Sequence, residues 1–90
     1  MNKGELVDAI ANDAGISKSQ AQEALDSFVE NVKSSLRAGN KVTLVGFGTF
    51  SSSHRDARMG RNPQTGMPIR IPPKMVAKFT AGKALKDAIN

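Results

Sequence analysis

The sequence predicts an α+β fold with elements in the order ααβββα, and three observations carry that prediction. Two early stretches place apolar residues at helical spacing behind capping signals. A β-rich middle is punctuated by glycine turns, and a last short stretch returns to helical spacing.

Asn2, with Glu5 three residues on, reads as an N-cap. Leu6, Val7, Ile10 and Ala14 then follow helical spacing up to Gly15, so a first helix is predicted over residues 3–14. Ser17 and Gln20 form a capping-box pattern, after which Ala21, Ala24, Leu25, Phe28, Val29, Val32 and Leu36 line one stripe until Gly39; the second helix is predicted over 18–38. At 100° per residue this stripe covers roughly 140° of arc, more than a short first helix can hide. The surplus predicts a subunit interface built on Leu25, Phe28, Val29, Val32 and Leu36, to which Leu44, Phe47, Phe50 and Phe79 are also assigned.

Lys41–Val45 is β-rich, Gly46-Phe47-Gly48 reads as a turn, and Thr49-Phe50-Ser51 resumes extended structure, giving a hairpin. From Asp56 to Lys74 the composition shifts to Arg, Gly, Pro and Asn, with few large apolar residues to anchor the stretch, so it should project into solvent as an arm. Met75–Phe79 returns to a strand pattern, and Lys83–Ile89 closes the chain as a short helix. The expected organisation is one domain over 1–90: a helical part (1–40), a sheet (41–81) carrying the arm at about 56–74, and the last helix (82–90). A chain of 90 residues gains only marginal stability from its own core, so a partner subunit is expected. Phe28, Phe47, Phe50 and Phe79, the only aromatic residues, are expected in that core.

Charge separates the halves. Residues 1–50 hold five Lys/Arg against six Asp/Glu, whereas residues 51–90 hold eight against two. Such a basic half attracts polyanions, nucleic acid before an anionic membrane surface. The absence of cysteine excludes disulfides and thiolate metal sites, and a reducing cytoplasm is expected. The start of the chain carries no apolar run long enough for a signal peptide or membrane span. No membrane partner, metal, cofactor or small-molecule substrate is called for.

The sharpest signal is the arm. Arg55, Arg58 and Arg61 lead into Asn62-Pro63-Gln64-Thr65-Gly66, and Ile69-Arg70-Ile71 leads back, which predicts a ribbon with its tip near Pro63 and Thr65. Pairing symmetric about residue 64 would set Arg58 opposite Arg70, a like-charge pair that needs an anion such as a phosphate beside it. Arginine suits that task because its planar fork contacts phosphate oxygens in pairs and reaches into a narrow minor groove. The plain alternative is a solvated cationic loop.

Other motifs carry less. A helix-turn-helix reading of residues 12–22 would turn Glu23, Asp26 and Glu30 toward phosphates, the wrong sign. Gly46-Phe47-Gly48 lacks the lysine and further glycine of a phosphate loop. His54 beside Ser51, Ser52 and Ser53 offers a base and hydroxyls, but adjacent residues on one strand do not converge as a triad does; no catalytic residue is assigned and an enzyme is not expected.

Gly46-Phe47-Gly48-Thr49-Phe50, followed by Arg55, Arg58, Gly60, Arg61, Asn62, Pro63 and Thr65, resembles the signature of the bacterial histone-like HU and integration host factor proteins. The likeness extends over nearly the whole chain, through Gly82-Lys83-Ala84-Leu85. The resemblance implies an intertwined dimer, with an identical or a related second subunit, whose arms bind the minor groove of double-stranded DNA and bend and compact it. It implies little base specificity and a place on the nucleoid. By the same resemblance Pro63 is the intercalating wedge; Arg55, Arg58, Arg61, Asn62, Arg70 and Lys74 are arm contacts; and Lys3, Lys83 and Lys86 are contacts on the body. A basic RNA-binding or ribonucleoprotein assembly protein is the alternative. Two departures stand out: Met67-Pro68 replaces residues commonly polar or charged, and Pro72-Pro73 doubles a usually single proline. Pro68 has no backbone donor, so weakened pairing near the tip is expected.

Overall fold

The computed structural model of the chain describes residues 1–56 and 58–90, with the backbone alone at Arg58. It forms two compact units, Met1–Ser34 and Ser35–Asn90.

The first unit contains α1 (Lys3–Ala14) and most of α2 (Lys18–Arg37). Each starts where its cap dictates. Asn2 Oδ1 accepts from the Glu5 N–H at 2.9 Å. Ser17 and Gln20 complete a reciprocal box, the Gln20 N–H donating to Ser17 Oγ and the Ser17 N–H to Gln20 Oε1, both at 3.1 Å. Helix α1 stops at Gly15, which takes the left-handed conformation (φ 66°) and donates its N–H to the Ala11 carbonyl. The buried core of this unit is Val7, Ala11 and Ala21, with Ile10 and Leu25 packed against it. Hiding one valine and two alanines contributes only on the order of 3 kcal/mol.

The second unit holds β1 (Val42–Leu44), β2 (Gly48–Arg55), β3 (Arg58–Arg61), β4 (Pro68–Ile71), β5 (Lys74–Ala81) and α3 (Lys83–Ala88). Strands β1, β2 and β5 form an antiparallel sheet in that order, and β3 pairs with β4 as a separate ribbon. The expected three strands become five because the two sides of the arm are strands in their own right. Val45 leaves β1 for the turn, in which the Phe47 N–H donates to the Leu44 carbonyl at 2.9 Å and Gly46 takes φ 84°, the geometry of a type II turn. Ser52 Oγ donates to the Leu36 carbonyl at 3.0 Å, tying the end of α2 to β2.

The phenylalanines are less buried than a core within one chain would make them. Phe47 and Phe50 flank Phe79 with ring centroids 5.4 and 4.8 Å away. Yet Phe28, Phe47 and Phe79 are 39%, 43% and 40% exposed, and Phe50 is only half-buried. A single sheet covers one side of the rings of Phe47, Phe50 and Phe79 and leaves the other open.

Candidate nucleic-acid interface

The arm is closed by a turn that Asn62 organises. The Asn62 N–H donates to the Met67 carbonyl (2.8 Å) and the Gly66 N–H to the Asn62 carbonyl (2.7 Å). The Asn62 side chain accepts from the Gln64 N–H at 2.9 Å, and Thr65 Oγ1 accepts from the Met67 N–H at 3.2 Å. Gly66 supplies the positive φ, 71°, that the return requires. Pro63 sits at the exposed corner beside Asn62, a position that proline's fixed φ suits.

This turn sets the register. Arg58 stands opposite Ile71, Met59 opposite Arg70, Gly60 opposite Ile69 and Arg61 opposite Pro68. The expected facing of Arg58 and Arg70 is therefore corrected by one residue: the axis of the ribbon falls between Gln64 and Thr65, not on residue 64. The side chain of Arg58 lies outside the described residues. Pairing also persists at Pro68, against expectation. Because Asn62 and Met67 occupy a hydrogen-bonded pair, the alternation of an antiparallel ladder makes Arg61 and Pro68 a non-bonded pair whose N–H positions point outward. Proline there removes no ladder bond.

The like-charge pair exists, but at the root. Arg55 faces Lys74 across β2 and β5, an arrangement that favours an anion nearby. From Arg55 to Arg58 the chain advances as far as from Lys74 back to Ile71, so neither side of the hairpin carries an extra residue. Within each sheet, side chains alternate between the two faces. Arg55, Lys74 and Lys78 share one face of the sheet, and Arg61 and Arg70 lie together on one face of the ribbon. Ile69 and Ile71 take the other face and lie over Gly60, where an added Cβ would meet Ile71 Cδ1 at 2.9 Å. Gly60 is thus a seat for two isoleucines.

None of the ion pairs among the described residues engages Arg55, Arg61, Arg70, Lys74, Lys83 or Lys86. Lys83 and Lys86 are exposed, one turn apart on α3, and the start of that helix is anchored by the Gly82 N–H donating to the Phe47 carbonyl at 2.8 Å. Lys3, in the other unit, is paired with Asp26 at 2.7 Å. Nothing in the strand pattern distinguishes Lys78; only the register puts it on the same face as Arg55 and Lys74, further along the sheet. No group of three or more potential metal ligands occurs among the described residues.

Comparison with known proteins follows the same line. The chain is 58% identical over 90 residues to the DNA-binding protein HU-beta of Pseudomonas aeruginosa, covering all of both chains. It is 53% identical over 90 residues, again end to end, to the DNA-binding protein HRm of Rhizobium meliloti. The fold matches that of HU in the Anabaena HU–DNA cocrystal structure with a TM-score of 0.91 at 47% identity, covering 99% of this chain and 97% of that one. The sequence model of one family, described as bacterial DNA-binding protein, matches residues 1–90. The chain belongs to this bacterial DNA-binding protein family.

Proposed function

We propose that the chain is an architectural, non-enzymatic DNA-binding protein that acts as a homodimer, gripping duplex DNA with its arms and bending it with little regard to base sequence. The observation that carries this reading is the run of cations along the hairpin, Arg55 facing Lys74 at its root and Arg61 sharing one face of the ribbon with Arg70, none of them with a carboxylate partner among the described residues. Such a face is short of anions, and a phosphate backbone supplies them in a row. Arg58, Asn62, Lys83 and Lys86 extend the contact set, and Lys3 joins it by exchanging Asp26 for a phosphate.

Dimerisation is supported by what one chain leaves open. Leu25, Phe28, Val29, Val32, Leu36, Leu44, Phe47, Phe50 and Phe79 are all exposed or half-buried, while the buried apolar core among the described residues amounts to three small or medium residues. A second copy covering these faces provides the missing burial.

Pro63 is assigned as the wedge. Apolar side chains inserted between base steps of the minor groove are a known device of architectural proteins, HU and integration host factor among them, and Pro63 stands at the exposed corner of the tip. A role on chromosomal DNA places the protein in the cytoplasm, on the nucleoid; no helix of the described residues is long and apolar enough to cross a membrane. The RNA-assembly alternative is not favoured, because the family match is to DNA-binding proteins. The test is titration of linear and pre-bent duplexes over a range of salt. Strongly salt-dependent binding with little sequence preference supports the reading, and failure to bind duplex DNA overturns it.

A further inference from the structure

One titratable pair lies at the root of the arm, outside the contact set. His54 is the chain's only histidine, and its Nε2 stands 3.1 Å from Oδ1 of Asp56, with the two side chains 57% and 93% exposed. Asp56 is in turn the single acidic side chain between Glu30 and Asp87. One of the two acidic side chains of the basic half therefore sits next to Arg55, where the cationic face begins.

Nothing else with a charge is paired to this imidazole among the described residues. Across the sheet it faces Met75, and Ser52 and Ala77 are the next pair on that face. Strand β1 pairs only with residues 48–50 and does not reach it. The end of α2, touched by Ser52 through the Leu36 carbonyl, brings Arg37 as its nearest charged residue, and Arg37 makes no ion pair there. Arg55 and Lys74 alternate onto the opposite face.

We propose that His54 and Asp56 are two further affinity-determining residues of the DNA grip, through which protons strengthen it; the inference rests on the reading of the arm as a DNA-binding element. A carboxylate at this place opposes the approach of phosphate. Protonated His54 cancels that charge, and neutral His54 leaves it standing. Duplex DNA carries one negative charge per about 1.7 Å of axis, and the thickness of a β-ribbon is comparable to the Debye length of about 10 Å, so bound DNA favours the protonated pair whichever face it touches. Binding takes up protons. Histidine is the side chain that gains charge as pH falls toward mild acidity, so affinity rises as pH falls. One unit of charge gained about 7 Å from a phosphate in high-dielectric surroundings, screened over a Debye length of about 10 Å, corresponds to about 1.6-fold in affinity per arm, and so to about threefold for a dimer with two arms.

The experiment measures the dissociation constant of a linear duplex by fluorescence anisotropy at constant ionic strength, at about pH 8 and about pH 6, for the parent, His54→Gln and Asp56→Asn. Both side chains are exposed, so the fold is expected to survive, as circular dichroism will verify. The parent should bind about threefold tighter at the lower pH. His54→Gln should match the parent at the higher pH and lose most of the gain at the lower one. Asp56→Asn should bind tighter than the parent at the higher pH. Calorimetry in two buffers of different ionisation enthalpy should show proton uptake by the parent and little by His54→Gln. An equal pH response in the parent and His54→Gln overturns the inference while leaving DNA binding intact; absence of duplex binding by all three proteins at both pH values overturns the function reading instead.

Discussion

Phe79 closes over Gly48 so tightly that a Cβ at Gly48 would lie 2.5 Å from Cζ of the ring and 2.6 Å from the Thr80 carbonyl oxygen. Gly48 opens β2 opposite Ala81, so this contact fixes how β5 meets the β1–β2 turn. The ring can rotate away, but the carbonyl belongs to the paired strand. Gly48→Ala should therefore destabilise the protein by about 2 to 3 kcal/mol, within the range for overpacking. Urea unfolding will check this, with Ser17→Ala as a milder comparison: loss of that helix cap should cost about 1 kcal/mol.

The helices were legible in the sequence because their signals are local. The caps at Asn2 and Ser17, the stop at Gly15 and the 3.6-residue period are chain-neighbour effects, and the elements begin and end within a residue of expectation. The strands were less legible. β2 runs through Ser51, Ser52, Ser53 and His54, whose polar side chains show no apolar alternation; its length comes from pairing with β5, a long-range fact. The ribbon register was missed by one residue because it depends on the side-chain and backbone bonds of Asn62 and Met67, which composition does not report. Among the candidate contacts, the cations themselves were readable from charge. That Arg55 faces Lys74 and that Lys78 shares their face follow only from register, and the contact of His54 with Asp56 only from side-chain geometry.

Dimerisation has a direct consequence for stability. With so little apolar surface buried by one chain, folding and association should be coupled, so the midpoint of thermal unfolding should rise with protein concentration. Sedimentation equilibrium should show a dimer at micromolar concentration. A cooperatively folded monomer whose unfolding ignores concentration would remove the interface assigned to Phe28, Val29, Val32 and Phe79.

The cationic face predicts the salt response. With roughly 6 to 10 phosphate contacts per dimer, a plot of log affinity against log salt should have a slope on the order of −5 to −9. Arg61→Ala removes one such contact from each arm. It should weaken binding to straight and bent duplexes to a similar degree and make the slope shallower by about 2. A slope unchanged by this substitution would place Arg61 away from phosphate.

The central claim is that gripping and bending are separate tasks, the first carried by the arginines and the second by the tip. Arginines attract at range but do not replace base stacking, which costs a few kcal/mol per step to disrupt and needs an apolar surface in exchange. Pro63 offers that surface at the exposed corner of the turn. The competing account is that Pro63 only shapes a turn that Asn62 and Gly66 already hold. The decisive measurement is the bend angle of a duplex labelled at both ends, read by fluorescence energy transfer at saturating protein, for the parent and Pro63→Ala. With Pro63 as the wedge, Pro63→Ala should give a smaller bend and lose the preference for kinked or nicked DNA, with salt-sensitive binding to straight duplex largely kept. A Pro63→Ala protein that bends DNA as sharply as the parent would contradict that role and assign the bending to the body.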